Sequence, residues 1–238
     1  MKNLKSIIAA GVFGIVMGSQ PATSATIQAA QGDILNVTMQ GSTAFRDHND
    51  QNALSQWSTF SLNGTSRTGM AGMFRMTAAD AYGNVQDFLA FCLDPLQGIR
   101  RNNDYDVGSL LSTTALDRLS ALMTNALGLV TTSTSAAAFQ LAAWEIANEG
   151  QGALNLRGGA FTVSDNRTGA RDAAQGWLDL ITAGTWTRGS RDLVVLHDPV
   201  LQDLATNLAP VPVPAAGVLL LGGLAGLGAL RGRRKKAA

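Results

Sequence analysis

Between Gly32 and Gly41, Ile34, Leu35, Val37 and Met39 stand among polar partners, the two-residue period of a half-buried strand. Further strand-like runs cover Trp57–Leu62, Gly72–Ala78 and Val85–Leu93, parted by turn signals at Asn63-Gly64 and Tyr82-Gly83-Asn84. After Asp104 the period lengthens. Leu110 and Leu111 lead into Leu116, Leu119, Leu122, Met123, Ala126 and Leu127, a helical face that starts behind Thr113 or Thr114 as cap. A second helix is predicted from about Ser135 to Asn148, opened by a Thr/Ser cluster and closed by Gly150. A third spans about Thr168 to Ala183 and ends at Gly184; Leu193–Leu196 then reads as a returning strand. Strands first, helices grouped, then a strand: this order predicts an α+β fold, an antiparallel β scaffold with a grouped helical insertion. No internal repeat and no Pro- or Ser-rich linker interrupts residues 26–210, which are expected to form one domain.

The two ends follow different rules. Lys2 and Lys5 precede an uncharged run from Ile7 to Gly18, and small residues lead up to Ala25. A basic start, an apolar stretch and small residues before a cut are the parts of a secretory signal peptide, expected over 1–25. At the other end Val211-Pro212-Val213-Pro214-Ala215 opens an uncharged stretch to Leu230, followed by Arg231, Arg233, Arg234, Lys235 and Lys236. As a helix that stretch is about 24 Å long against a hydrocarbon core of about 30 Å, so it spans a membrane only marginally. The basic cluster would stay cytoplasmic, placing the middle domain outside. Proline-bearing pentapeptide, short apolar helix and basic end together resemble the VPLPA-CTERM variant of PEP-CTERM sorting signals, with Val213 in place of the usual Leu. The resemblance covers Val211 to Lys236. It implies export in a Gram-negative bacterium, anchoring in the inner membrane, processing by an exosortase-type membrane protease, and a final place at the cell surface or outside the cell. Residues 211–238 are thus expected to be an address.

Composition narrows the middle domain. With charged residues only 15% of the chain, it is too apolar for disorder, and it is too aperiodic for a coiled coil or collagen. All seventeen acidic residues lie within 26–210, against eleven arginines and no lysine, a net −6. A domain so charged is a poor partner for a phosphate backbone, which excludes nucleic acid. The only histidines are His48 and His197, without HxxxH or CxxC spacing, so neither metal nor cofactor is expected. Asp47-His48-Asn49-Asp50 and Asn103-Asp104-Tyr105-Asp106 lack the EF-hand spacing and read as solvated turns. No GxSxG elbow supports a serine hydrolase, and the glycines around Gly222-Gly223 lie in the sorting helix rather than behind a strand. No enzyme is expected.

One pair of segments carries chemistry. Cys92, the only cysteine, stands in Phe91-Cys92-Leu93-Asp94 at the end of an apolar strand, and cannot form an internal disulfide. It is either a small buried hydrophobe or a thiol kept for reaction. On the second helix Phe139-Gln140-Leu141-Ala142-Ala143-Trp144 sets Gln140 and Trp144 four apart, on a face otherwise built of alanines. A glutamine there either pairs its amide with backbone or is held for chemistry. These two segments resemble the thioester domains of bacterial surface adhesins, in which an aromatic-Cys motif and a Thr-Gln-x-Ala-Ile/Val-Trp motif supply an internal Cys–Gln thioester. Cys92 matches the first motif; Gln140, Ala142 and Trp144 match the second. Phe139 departs from the family's Thr and Ala143 from its Ile or Val. The resemblance implies attack of Cys92 on the Gln140 carboxamide, loss of ammonia, and an acyl group open to amines or hydroxyls, with Phe91 and Trp144 shielding it from water. The absence of lysine from 26–210 suits an amine-reactive protein, although an Arg-preferring genome gives the same absence. The expectation is an exported envelope or matrix protein that attaches covalently to an amine- or hydroxyl-bearing surface polymer. A non-covalent structural or interaction module of the matrix is the alternative.

Overall fold

The computed structural model describes residues 27, 29–40, 54–164, 168–189 and 193–208. In chain order its elements are β1 (Ile34–Met39), β2 (Ser55–Leu62), β3 (Thr65–Gly72), β4 (Phe74–Ala79), β5 (Val85–Cys92), β6 (Asn102–Val107), α1 (Thr113–Ala126), α2 (Ser133–Glu149), β7 (Phe161–Val163), α3 (Ala170–Thr182), β8 (Val194–His197) and β9 (Leu204–Thr206). Six strands close into a barrel in the order β1-β4-β5-β9-β8-β6, and β3-β2-β7 form a separate sheet. The pairings in both are antiparallel. The fold is mixed α+β. The predicted signal peptide, Val211–Ala215, the sorting helix and Asp47–Asp50 lie outside the described residues.

α2 is the hub. It packs on α1 and α3 and lies across β2, β3, β5 and β7. A capping box fixes its start: the Thr132 hydroxyl accepts from Ser135 N at 3.1 Å and the Ser135 hydroxyl accepts from Thr132 N at 3.0 Å. Gly150, at a φ of 58° that favours glycine, ends it. Every residue from Ala136 through Ile146 is buried. A helix that is apolar nearly all round belongs inside a core, and its alanines let strands approach on several sides. Its two polar residues in this stretch, Gln140 and Glu145, are carried inside with it.

Three sequence expectations need correction. The first helix is capped by Ser112, whose hydroxyl accepts from Ala115 N at 3.2 Å, rather than by Thr113 or Thr114. The expected strand Gly72–Ala78 is two strands: Gly72 ends β3 against Ser55 of β2, and Phe74 begins β4 in the barrel. The chain changes sheets across Met73. At Gly72 an added Cβ would stand 2.4 Å from the Leu54 carbonyl oxygen, so only glycine allows this crossing. Asn103–Asp106 is part of strand β6 and not a turn; exposed Asn102, Asp104 and Asp106 alternate with Tyr105 and Val107, which are buried. The short strands β7 and β9 were not anticipated, and β9 completes the barrel by joining β5 to β8.

Candidate functional site

The switch of sheets at Gly72 leaves part of β5 without a neighbour. β4 pairs with β5 as far as Phe74↔Ala90, and the next position, opposite Cys92, is empty because Gly72 belongs to β3 and pairs with Ser55 of β2. Leu93 N donates to Asp203 O at 2.8 Å on the β9 side. Alternation of the ladder therefore turns the N–H and C=O of Cys92 toward the vacant β4 side. Gln140 fills the vacancy. Cys92 N donates to Gln140 Oε1 at 3.0 Å, and Gln140 Nε2 donates to Cys92 O at 2.6 Å. The side-chain amide stands where a peptide group of β4 would have been, and Gln140 is 1% exposed.

Residues 48 positions apart are thus brought together, through the Cys92 backbone and the Gln140 amide. Phe91 stacks on Phe139 with ring centroids 4.0 Å apart, which faces it toward α2. Cys92, next along the strand, projects to the opposite, barrel side. There its thiol donates to Gln202 Oε1. Trp144 is 3% exposed; its ring lies 5.0 Å from that of Phe60 and 6.0 Å from that of Phe161, closing the helix face against the second sheet. Its indole N–H has no hydrogen-bond partner.

Asp94, whose charge acts on Cys92, is linked to further acidic groups. His197 Nδ1 lies 2.8 Å and 3.0 Å from the two carboxylate oxygens of Asp203, and Asp203 N donates to Asp94 Oδ2 at 2.8 Å. Asp198 N donates to Asp203 Oδ1 at 3.0 Å. Burial, with the charge of Asp94 adding to it, pushes the Cys92 thiol well above its ordinary value. Tyr105, 2% exposed, is pushed up by burial and by the charges of Asp198, Cys92 and Asp203; its hydroxyl is buried without a partner.

A second buried acid lies on α2. Glu145 is fully buried, and one carboxyl oxygen accepts from Asn155 N while Oε2 has no partner. Burial raises it to about 8, helped by the charge of Glu149 and opposed by the Asn155 N–H and by Arg118. One turn on, Glu149 accepts from Ala160 N and from Phe161 N. The two carboxyls hold the middle and the far end of the loop that leads from α2 to β7.

Gln202, Asp203 and Glu145 were not picked out in the sequence. Glu145 sits beside the Trp144 motif and was accessible from the apolar character of its helix. Gln202 lies 110 positions from Cys92, and nothing local marks it. Among the described residues no three His, Cys, Asp or Glu are placed to hold a metal ion, and no helix is long and apolar enough to cross a membrane. Neither a protein-family model, nor a curated protein, nor a solved structure matches this chain.

Proposed function

We propose that the chain is an exported protein of the bacterial envelope or extracellular matrix whose domain, residues 26–210, fastens itself to an amine- or hydroxyl-bearing polymer through a Cys92–Gln140 thioester. The observation that carries this reading is the seating of the Gln140 carboxamide on the peptide of the residue that bears the only thiol. The Cys92 N–H points at Gln140 Oε1, where negative charge would collect as sulfur adds to the carbonyl carbon, so it serves as an oxyanion donor. The S–C bond forms, the C–N bond breaks, and Nε2 leaves as ammonia with the thiol proton. Loss of Nε2 strips the Cys92 carbonyl of its donor, which raises the energy of the acyl form and favours its transfer. An amine or hydroxyl then takes the acyl group, the thiol is regenerated, and the protein is joined to its target once, without turnover. Phe91 and Trp144 are the proposed shields against water. Residues 1–25 and 211–238 are the proposed export and sorting signals, the latter read by an exosortase-type protease after insertion of the C-terminal helix in the inner membrane.

Intact mass of the purified chain tests the acyl bond. The expected result is a deficit of about 17 Da, lost on adding methylamine with gain of one amine, and absent from Cys92→Ala and from Gln140→Ala. A full mass with a freely titrating thiol would sink the covalent mechanism. The reading that then stands is a non-covalent matrix module, favoured by a specific observation: Gln140 already completes the ladder at Cys92, and the thiol is bonded to Gln202.

A further inference from the structure

Two carboxamides flank Cys92, and the thiol is bonded to the one outside the sequence motif. Gln202 lies between β8 and β9, in the loop that covers the barrel side of Cys92. It is held at three points: its N donates to Gly98 O at 3.0 Å, its Nε2 to Gln97 O, and its Oε1 receives the thiol. The neighbouring Asp203 is tied to His197, to Asp198 N and to Asp94, so the loop is braced on both sides of Gln202.

We propose that Gln202 is the positioning residue of Cys92: its Oε1 keeps the sulfur turned to the barrel side, off the Gln140 carbonyl, and the sulfur becomes a nucleophile only when this contact opens. An amide oxygen can only accept, so it bonds the thiol and gives nothing to the thiolate; hydrogen bonding to the neutral form opposes ionisation. The groups around the sulfur act the same way. Asp94 and, beyond it, Asp203 and Asp198 are acidic; His197 is engaged by Asp203; among the described residues the thiol is bonded to Gln202 and to no cation. The buried Tyr105 hydroxyl, without a hydrogen-bond partner among the described residues, feels the charges of Asp198, Cys92 and Asp203 as well. Cys92 is thus held in reserve by contacts on one side while its electrophile waits on the other. The inference concerns the free thiol and holds whether or not the acyl bond forms.

The test uses the full chain after hydroxylamine treatment, which opens a thioester where one exists and leaves a free Cys92 in every case. Alkylation by iodoacetamide is followed by intact mass from pH 7 to 11 for the wild type, Gln202→Ala and Gln202→Glu. Gln202→Ala should lower the pH midpoint of alkylation and speed the reaction at pH 8 by about tenfold. Gln202→Glu, which keeps an acceptor and adds negative charge, should raise the midpoint. An unchanged midpoint in Gln202→Ala, even with a uniformly faster reaction, would mean that the loop only covers the thiol, and would overturn the proposal. Should Gln202→Ala fail to fold, the glutamate variant decides: a midpoint that stays or falls is equally fatal.

Discussion

Gln140 does the work of a missing strand residue. A side-chain amide carries the same donor and acceptor as a peptide group, so it can end a β ladder that the backbone has abandoned. Taking it away leaves the N–H and C=O of Cys92 buried with nothing to bond. Gln140→Leu, made in a Cys92→Ala chain so that no acyl bond intrudes, is expected to lose about 2–5 kcal/mol in urea unfolding, the sum of two orphaned groups. Gln140→Glu regains a donor only when protonated, so its loss should shrink as pH falls. A loss below about 0.5 kcal/mol for Gln140→Leu would show that water or a shifted strand takes over both bonds. The motif around Gln140 was legible because it needs only local spacing. What could not be read was the reason the amide is needed, since that depends on where β4 leaves β5.

At the scale of elements, the apolar strands and the helices were recognisable from their periods, and the failures share a cause. β6 has a clean alternation, but its outward positions are Asn102, Asp104 and Asp106, residue types depleted from strands, and they read as a turn. β3 runs exposed from Thr65 to Thr68, with no buried face to give it a period. β7 and β9 have three residues each, too few for any pattern. The passage from β3 to β4 looked like one strand because nothing in Gly72-Met73-Phe74 announces a change of sheet. Gly72 bears that change, and a Cβ there would clash with backbone and with Ser55, neither of which can swing aside. Gly72→Ala should therefore cost about 1–3 kcal/mol, read as a lower urea midpoint, whereas alanine at Gly128, which has open space around it, should be nearly neutral. Equal effects at the two positions would remove the special standing of the crossing.

For the molecule as a whole, the buried Glu145 sets how stability depends on pH. Its folded value near 8 lies above the ordinary 4.5, so the folded chain holds the proton more tightly than the unfolded one. Its share of stability is complete below about pH 4.5, falls as pH rises toward 8, and is level beyond. The fall is at most about 5 kcal/mol, reduced by whatever opening of the Asn155 loop lets water reach the carboxylate. Urea midpoints at pH 5 and pH 8.5 should differ in the wild type and converge in Glu145→Gln; the same difference in both would assign the effect to other groups. The barrel carries a different consequence. Its closure joins β5 to β9, a pairing of Cys92 with Leu204, and such distant contacts form late because a long loop must first be closed. Synthesis runs in the same direction: Cys92 and Gln140 both exist before residues 198–206 have been made. The chain therefore passes through an interval in which sulfur and carboxamide are present and Gln202 is not. A barrel that shuts last would let Cys92 meet Gln140 before Gln202, a clock for maturation set by the order of the residues along the chain.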